Sequence, residues 1–256
     1  MSRESTVRIG LLLPDVLGTY SDRGNGVVLA QRLLRRGIDA EVIMVTAGSR
    51  SPGRCDLYVI GGGEDAAQSF ATDWLLQHRD LRVALQTTRI LAVCAGLQVL
   101  GQWIEDGHGR RQPGLGILDV TTSPGQRRAV GEVLTRCALP GVGLLTGFEN
   151  HRGMTRLGPD AAPLAVVMHG VGNGSPDGSE GALTPTVVGT YLHGPVLARN
   201  PVLADHLLHG VIGRDLPALE LPDQEDVRDM HLALATHHPL ERLGTVRAAL
   251  HRRRSS

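Results

Sequence analysis

The stretch of sequence that best predicts the fold is TTRILAVCAGLQVLG, residues 87–101. A strand-forming apolar run ends at Cys94, and after Ala95 and Gly96 the apolar residues take up helical spacing. A side chain at a tight turn between a strand and a helix projects from the carboxyl edge of a parallel sheet, where open α/β sheets keep their functional sites. The stretch therefore predicts an α/β fold that presents a thiol at this edge.

The first hundred residues alternate between predicted strands and predicted helices. Strands are expected at residues 7–14, 39–47, 55–63 and 89–93, and helices at 26–37, 64–80 and 96–106. This order is typical of a mostly parallel central sheet flanked by helices on both faces. The second half is richer in glycine and proline, which favours shorter strands, some of them antiparallel, joined by long loops.

Composition argues against several classes of function. The formal net charge of the 256 residues is +0 and few of them are aromatic, which disfavours binding to nucleic acid. The sequence contains no lysine, so it has neither a Schiff-base lysine nor a GxxxxGK[ST] phosphate loop. If the reaction uses ATP, we expect another protein to bind it.

Cysteine usage and the N-terminal sequence bear on the cellular compartment. Three cysteines lie far apart with no CxxC pair, which argues against a zinc site or a redox dithiol. The sequence shows neither an apolar signal-peptide core nor an apolar run approaching the ~20 residues of a membrane span. We therefore expect a cytoplasmic protein with no membrane span and no metal site.

Cys94 is the strongest candidate for a nucleophile. Small residues flank it, as the crowded turn of a nucleophile elbow requires, and the N-terminus of the following helix favours a thiolate. The alternative is a buried cysteine of the core, which is common and would be preferred without the turn context. Cys55 and Cys137 lack this context, and we interpret them as packing or loop cysteines.

A nucleophilic cysteine needs a base and an oxyanion hole. His193 follows the apolar run of VVGTYLHGP, residues 187–195, which would bring it to the same sheet edge. The segment YVIGGGED ends a predicted strand on glycines, so the backbone N–H groups of Gly62, Gly63 and Ala95 are candidates for the oxyanion hole. The alternatives are that His193 is a structural histidine and that the glycines form only a tight turn.

These segments together resemble class I glutamine amidotransferases. The resemblance rests on GGGED, CAGLQ and YLHGP, in that order. CAGLQ fits the family pattern C-x-G-x-Q, which implies that Gln98 helps to hold the glutamine substrate. YLHG and TGFENHRGMTRLG, residues 146–158, are similar to the cobyric acid synthase (CobB/CobQ) branch. The resemblance implies a single amidotransferase domain.

Within this branch the chain is most similar to the GatD family of glutaminase subunits of lipid II isoglutaminyl synthase. Residues 17–38, LGTYSDRGNGVVLAQRLLRRGI, and residues 127–133, RRAVGEV, carry this resemblance. It implies that Arg128, which precedes an apolar-apolar-glycine-acidic run, pairs with the α-carboxylate of glutamine. We expect the amidotransferase domain to cover residues 6–215, with a helical extension and a basic tail at 216–256.

The resemblance also implies a reaction. Cys94 would attack the side-chain amide of L-glutamine, and His193 would pass a proton to the departing ammonia. The ammonia would go to a heterodimer partner, the Mur-ligase-like MurT of that family, which would bind ATP and Mg. That partner would amidate the α-carboxylate of D-glutamate in lipid II during peptidoglycan synthesis. No cofactor is expected in this chain, and the pair would act in the cytoplasm near the inner face of the membrane.

Three alternatives remain open at the level of sequence. The chain could be a glutaminase that serves another synthetase, such as a cobyrinate-type amidase. It could be a cysteine hydrolase or chaperone of the DJ-1 type, which also has an elbow cysteine on a parallel sheet. It could also be a binding subunit whose site is a relic.

The third member of the catalytic group is not evident from the sequence. In most class I amidotransferases an acidic residue stands two positions after the catalytic histidine, but here that position is Pro195. Glu149 could orient His193 from within the chain, although we favour a carboxylate supplied by the partner. This interpretation predicts weak glutaminase activity for the isolated chain and stronger activity for the complex.

Overall fold

The structure, a computed structural model, describes residues 6–18, 22–49, 53–219 and 221–236. Its strands are β1 (Val7–Leu12), β2 (Ala40–Val45), β3 (Leu57–Ile60), β4 (Arg89–Val93), β5 (Trp103–Glu105), β6 (Arg111–Pro113), β7 (Val120–Cys137), β8 (Leu144–Leu157), β9 (Ala165–His169), β10 (Ser179–Glu180), β11 (Ala182–Leu183) and β12 (Val187–Thr190). Its helices are α1 (Gly24–Leu34), α2 (Asp65–Gln77), α3 (Arg79–Thr87), α4 (Ala95–Leu100), α5 (Val196–Arg199), α6 (Pro201–Ile212) and α7 (Pro222–Thr236).

The central sheet has six strands in the order β11-β12-β4-β3-β1-β2, and all its pairings are parallel except that of β11 with β12. Successive residues of a strand enter different apolar clusters: Leu11 and Val59 pack with Leu29, whereas Leu12 and Ile60 pack with Leu75. Because both faces are buried, these strands read as continuous apolar runs. The mostly parallel sheet flanked by helices is therefore confirmed.

A second sheet has the strand order β10-β9-β7-β5-β6, with β8 paired to β7, and its strands lie between residues 103 and 180. Its main feature is the antiparallel hairpin of β7 and β8, which confirms antiparallel strands in this half but is longer than the shorter strands expected there. Pro124 and Gly125 lie inside β7, although both residue types weaken strand interiors. The structure accommodates them with a register shift between Pro124 and Ala129.

The helix predicted at 96–106 is also wrong in its second half. Helix α4 ends at Leu100, and Trp103–Glu105 forms β5, which pairs in parallel with β7. The chain turns at Gly101, where a Cβ atom would lie 2.9 Å from the backbone oxygen of Val120. Tertiary pairing with β7 therefore overrides the local helical pattern.

Helix α7 lies in the stretch after residue 215 where a helical extension is expected, and the domain boundary at 215 stays a prediction. Arg228 of this helix donates a hydrogen bond to the backbone oxygen of Leu144 at 2.8 Å, which ties α7 to β8. The predicted basic tail lies outside the described residues. Among the helices that the structure describes, none is long and apolar enough to cross a membrane.

Candidate active site

Cys94 occupies a strained turn between β4 and α4. Its backbone angles are φ 51° and ψ −107°, and a positive φ costs energy for a residue with a side chain. The turn is so tight that a Cβ atom at Gly96 would lie 2.6 Å from the backbone oxygen of Ile60. The Cys94 N–H donates to the oxygen of Thr190 at 2.8 Å, which joins the elbow to the end of β12. These are the features expected of a nucleophile elbow.

His193 follows the end of β12 and lies against the elbow cysteine. A Cβ atom built on Gly62 would be 2.7 Å from Cε1 of His193 and 3.3 Å from Cβ of Cys94, so the three residues meet at one point. The His193 ring is buried, and its Nδ1 lies 2.9 Å from Oδ2 and 3.2 Å from Oδ1 of Asp22. Since Nδ1 is engaged with this carboxylate, Nε2 is the ring nitrogen left for Cys94. The structure therefore brings together the two predicted catalytic residues.

The electrostatics of this group favour a charged imidazole. Burial alone lowers the pKa of His193, but its hydrogen bonds to Asp22 and Cys94 and the charges of both groups outweigh burial and raise that pKa to about 10. The imidazolium is therefore the dominant form at neutral pH, and it lies beside the sulfur. A cationic neighbour stabilises a thiolate, which is the nucleophilic form of cysteine.

Asp22 is the functional residue that sequence reasoning missed. A carboxylate supplied by the partner stays a prediction, whereas the alternative that Glu149 orients His193 is wrong, because Asp22 occupies Nδ1 of the ring. Glu149 instead accepts the N–H groups of Val171 and Gly172, both at 2.9 Å. The position of Asp22 in the sequence could have identified it. Asp22 lies in the polar loop after β1, and the carboxyl ends of neighbouring parallel strands meet at the sheet edge that also holds Cys94 and His193.

The predicted oxyanion hole is changed by Asp22. The N–H of Gly62 donates to Asp22 Oδ2 at 2.9 Å, so the structure does not offer this donor to a substrate oxygen. Gly63 lines the cleft beside Cys94. Ala95 is the first residue of α4, where a backbone N–H has no acceptor within the helix. The assignment of Gly63 and Ala95 as oxyanion donors stays a prediction.

Cys94 and His193 line a cleft of about 630 Å³ whose wall also includes Gln98. The Gln98 side chain is held by a buried network: Nε2 donates to the Tyr191 hydroxyl at 2.8 Å, and Oε1 accepts from Gln68. An amide oxygen has two lone pairs and an amide nitrogen has two N–H groups. Gln98 therefore keeps one acceptor and one donor position beyond this network.

Arg128 lies on the same cleft, at its more exposed end. Its Nε donates to Oδ1 of Asn150 at 2.5 Å, and its Nη2 lies 3.7 Å from Oε1 of Glu64. The side chain is 47% exposed, so its guanidinium remains accessible to a carboxylate. The structure thus places the predicted substrate-binding arginine in the cleft that holds the predicted nucleophile.

Comparisons with known proteins agree with this geometry. A family model described as the CobB/CobQ-like glutamine amidotransferase domain matches residues 8–201. The GatD subunit of the glutamine-hydrolysing lipid II isoglutaminyl synthase of Staphylococcus aureus (strain N315) is 36% identical over 200 residues, which cover 77% of this chain and 80% of that protein. The corresponding subunit of Streptococcus pneumoniae (strain ATCC BAA-255 / R6) is 31% identical over 235 residues, which cover 89% of each chain.

The fold agrees as well. A crystal structure of a glutamine amidotransferase matches with a TM-score of 0.54 at 21% identity, covering 79% of this chain and 98% of that one. At this identity the match is evidence of a shared fold alone. The family model covers most of the chain and includes the elbow, the histidine and the cleft arginine. On these grounds the chain belongs to the CobB/CobQ-like glutamine amidotransferase family.

Proposed function

We propose that this chain is the glutamine-hydrolysing subunit of a lipid II isoglutaminyl synthase, and that it delivers ammonia to a Mur-ligase-like partner of the MurT type. Family membership makes it a glutamine amidotransferase. Similarity to two GatD subunits over most of the chain supports lipid II as the final acceptor. The observation that carries the proposal is that Cys94 and His193, whose ring is held by the buried Asp22, line one cleft with an accessible arginine.

The geometry supports a thioester mechanism. The Cys94 thiolate attacks the δ-carbon of glutamine, and the amide oxygen becomes an oxyanion next to the N–H groups of Gly63 and Ala95. The His193 imidazolium donates its proton to the amide nitrogen, the C–N bond breaks, and ammonia leaves behind a thioester. Neutral His193 then takes a proton from water, whose oxygen attacks the thioester and releases glutamate and the thiolate. Asp22 holds the ring in register throughout.

The partner supplies the ATP-dependent half of the reaction. The chain has no lysine and hence no GxxxxGK[ST] phosphate loop, which supports a division of labour in which the partner binds ATP and Mg. The partner would activate the α-carboxylate of D-glutamate in the lipid II stem peptide, and ammonia would convert it to D-isoglutamine. Because lipid II is anchored in the membrane, the pair would work in the cytoplasm at the inner membrane face.

The test is ammonia release from L-glutamine by the purified chain, alone and with the Mur-ligase-like protein of the same cell. We expect Cys94→Ser to abolish release, and a chloroketone analogue of glutamine to label the wild-type chain at Cys94 only. Labelling at Cys55 or Cys137, or no ammonia under either condition, would overturn the glutaminase assignment. With ATP and lipid II present, formation of D-isoglutamine is the expected outcome. Transfer to a cobyrinate-type acceptor instead would favour the alternative synthetase.

A further inference from the structure

We propose that Glu64 binds the α-ammonium group of glutamine and, together with Arg128, recognises the substrate as an amino-acid zwitterion. This inference rests on the proposed function and deepens it, because Arg128 accounts for the α-carboxylate only. A free α-amino group carries a positive charge at neutral pH, and it needs an anionic or oxygen-rich partner when it enters a cleft.

The contacts of Glu64 leave its carboxylate available. Glu64 is the residue that precedes α2, yet its side chain makes no capping hydrogen bond to that helix. Its Oε1 is instead 3.7 Å from Nη2 of Arg128, which is longer than the roughly 2.7–2.9 Å of a direct charge-assisted hydrogen bond. With 68% of the Glu64 side chain and 47% of that of Arg128 exposed, the pair is open to a third group.

Glu64 lines the same cleft as the thiol and is close in sequence to the glycine that contacts the catalytic pair. Glu64 comes two residues after Gly62, whose position lies against both Cys94 and His193. Glu64, Arg128 and Cys94 all line the same cleft. In glutamine a short aliphatic chain separates the reacting amide carbon from the α-carbon, which bears both charges. In the proposed pose the amide carbon lies at the sulfur and the α-carbon lies toward Glu64 and Arg128, which carry opposite charges and line the same cleft.

Two other carboxylates of the cleft are already paired within the described residues. Glu105 accepts from Arg111 at 2.9 Å, and Asp106 accepts from Arg110 at 2.9 Å. Asp65 also lines the cleft, next to Glu64 in the first turn of α2. Because Asp65 has no ion pair with Arg128, it offers a matched control for the loss of one negative charge at this place.

The experiment compares glutamine with 4-carbamoylbutanoate, which is glutamine without its α-amino group. We measure ammonia release by the wild-type complex, by E64Q and by D65N. For E64Q we expect KM for glutamine to rise about tenfold with kcat changed less than about twofold, since a charge-assisted contact is lost outside the reacting centre. Use of 4-carbamoylbutanoate should be unchanged in E64Q, and D65N should behave as wild type on both compounds.

Each other outcome is decisive. An equal loss on both compounds would show that Glu64 acts only by positioning Arg128, and no loss on glutamine would remove Glu64 from the site. A wild-type enzyme that uses both compounds equally well has no ammonium site at all, which also overturns the inference. If turnover of 4-carbamoylbutanoate is too slow, its inhibition constant against glutamine replaces KM. A wild-type complex that releases no ammonia from glutamine refutes the proposed function together with the inference.

Discussion

Replacing Asp22 with asparagine is the sharpest test of the catalytic group. The amide keeps the shape of the carboxylate, and its oxygen can still accept the hydrogen bond from the Gly62 N–H. In the wild type this nitrogen lies 2.9 Å from Oδ2 of Asp22. The substitution removes the negative charge that holds Nδ1 of His193 at 2.9 Å. An amide N–H that faces Nδ1 also favours the wrong tautomer of the ring.

Two magnitudes can be estimated for this change from general experience with catalytic triads and buried charges. In serine triads the loss of an orienting carboxylate costs up to about 10⁴-fold in kcat. A thiol ionises more readily than a hydroxyl, so we expect a smaller loss of about 10²–10³-fold for Asp22→Asn. The pKa of His193 is about 10 because Asp22 and Cys94 outweigh the lowering effect of burial. Without the Asp22 charge this pKa should fall by about 1–3 units.

The assay is kcat/KM for ammonia release from glutamine as a function of pH. The active form pairs the thiolate with the imidazolium, and the wild type loses that proton as pH rises through about 10. The alkaline limb of the Asp22→Asn profile should therefore move toward neutral pH. Glu149→Gln is the control, since it removes a buried charge whose hydrogen bonds go to Val171 and Gly172. Its alkaline limb should stay in place.

Two results would refute the reasoning. The first is an Asp22→Asn enzyme with kcat within twofold of wild type and an unmoved alkaline limb. The second is a shifted limb in Glu149→Gln, which would return that residue to the role considered from sequence. Activity of the isolated wild-type chain bears on the same point. Because Asp22 holds His193 within this chain, we expect the isolated subunit to hydrolyse some glutamine, and a strong rise in rate on adding the partner would support the partner carboxylate predicted from sequence.

Three further predictions address binding, packing and pH. Arg128→Ala should lower kcat/KM about 100-fold, chiefly by raising KM. Arg128→Lys should retain only part of the wild-type kcat/KM, since a point charge cannot replace a bidentate contact. Unchanged KM and kcat in Arg128→Ala would exclude the residue from the site. Gly62→Ala should reduce kcat/KM at least about 100-fold, because its methyl carbon would lie 2.7 Å from Cε1 of His193. Gly48→Ala is the control: no atom of the described residues lies near its methyl position, so kcat/KM in the same ammonia assay should not change. Burial raises the pKa of Glu180 to about 7, above its ordinary 4.5. Between these two pH values the folded state keeps a proton that the unfolded state releases, so the free energy of unfolding should fall as pH rises from about 4.5 to 7. Glu180→Gln should remove this part of the fall in Tm between pH 5 and pH 8, and an unchanged fall would contradict the assignment.

The sequence alone determined the features that depend on neighbours along the chain. Continuous apolar strands alternating with helical spacing indicated a parallel sheet buried on both faces, and small residues around Cys94 indicated the elbow. His193 could be selected because it directly follows an apolar strand. These signals are local, since the periodicity of burial and the crowding of a turn are properties of a few consecutive residues.

The tertiary structure decided what depends on distant partners. Asp22 and His193 are 171 residues apart, and no local pattern marks an aspartate in a polar loop as the partner of that ring. The same holds for the N–H of Gly62, which looked free in sequence but is bound by Asp22. Trp103–Glu105 is a strand only because β7 offers it a pairing edge. Long-range hydrogen bonds and close packing, which sequence periodicity does not encode, fixed these positions.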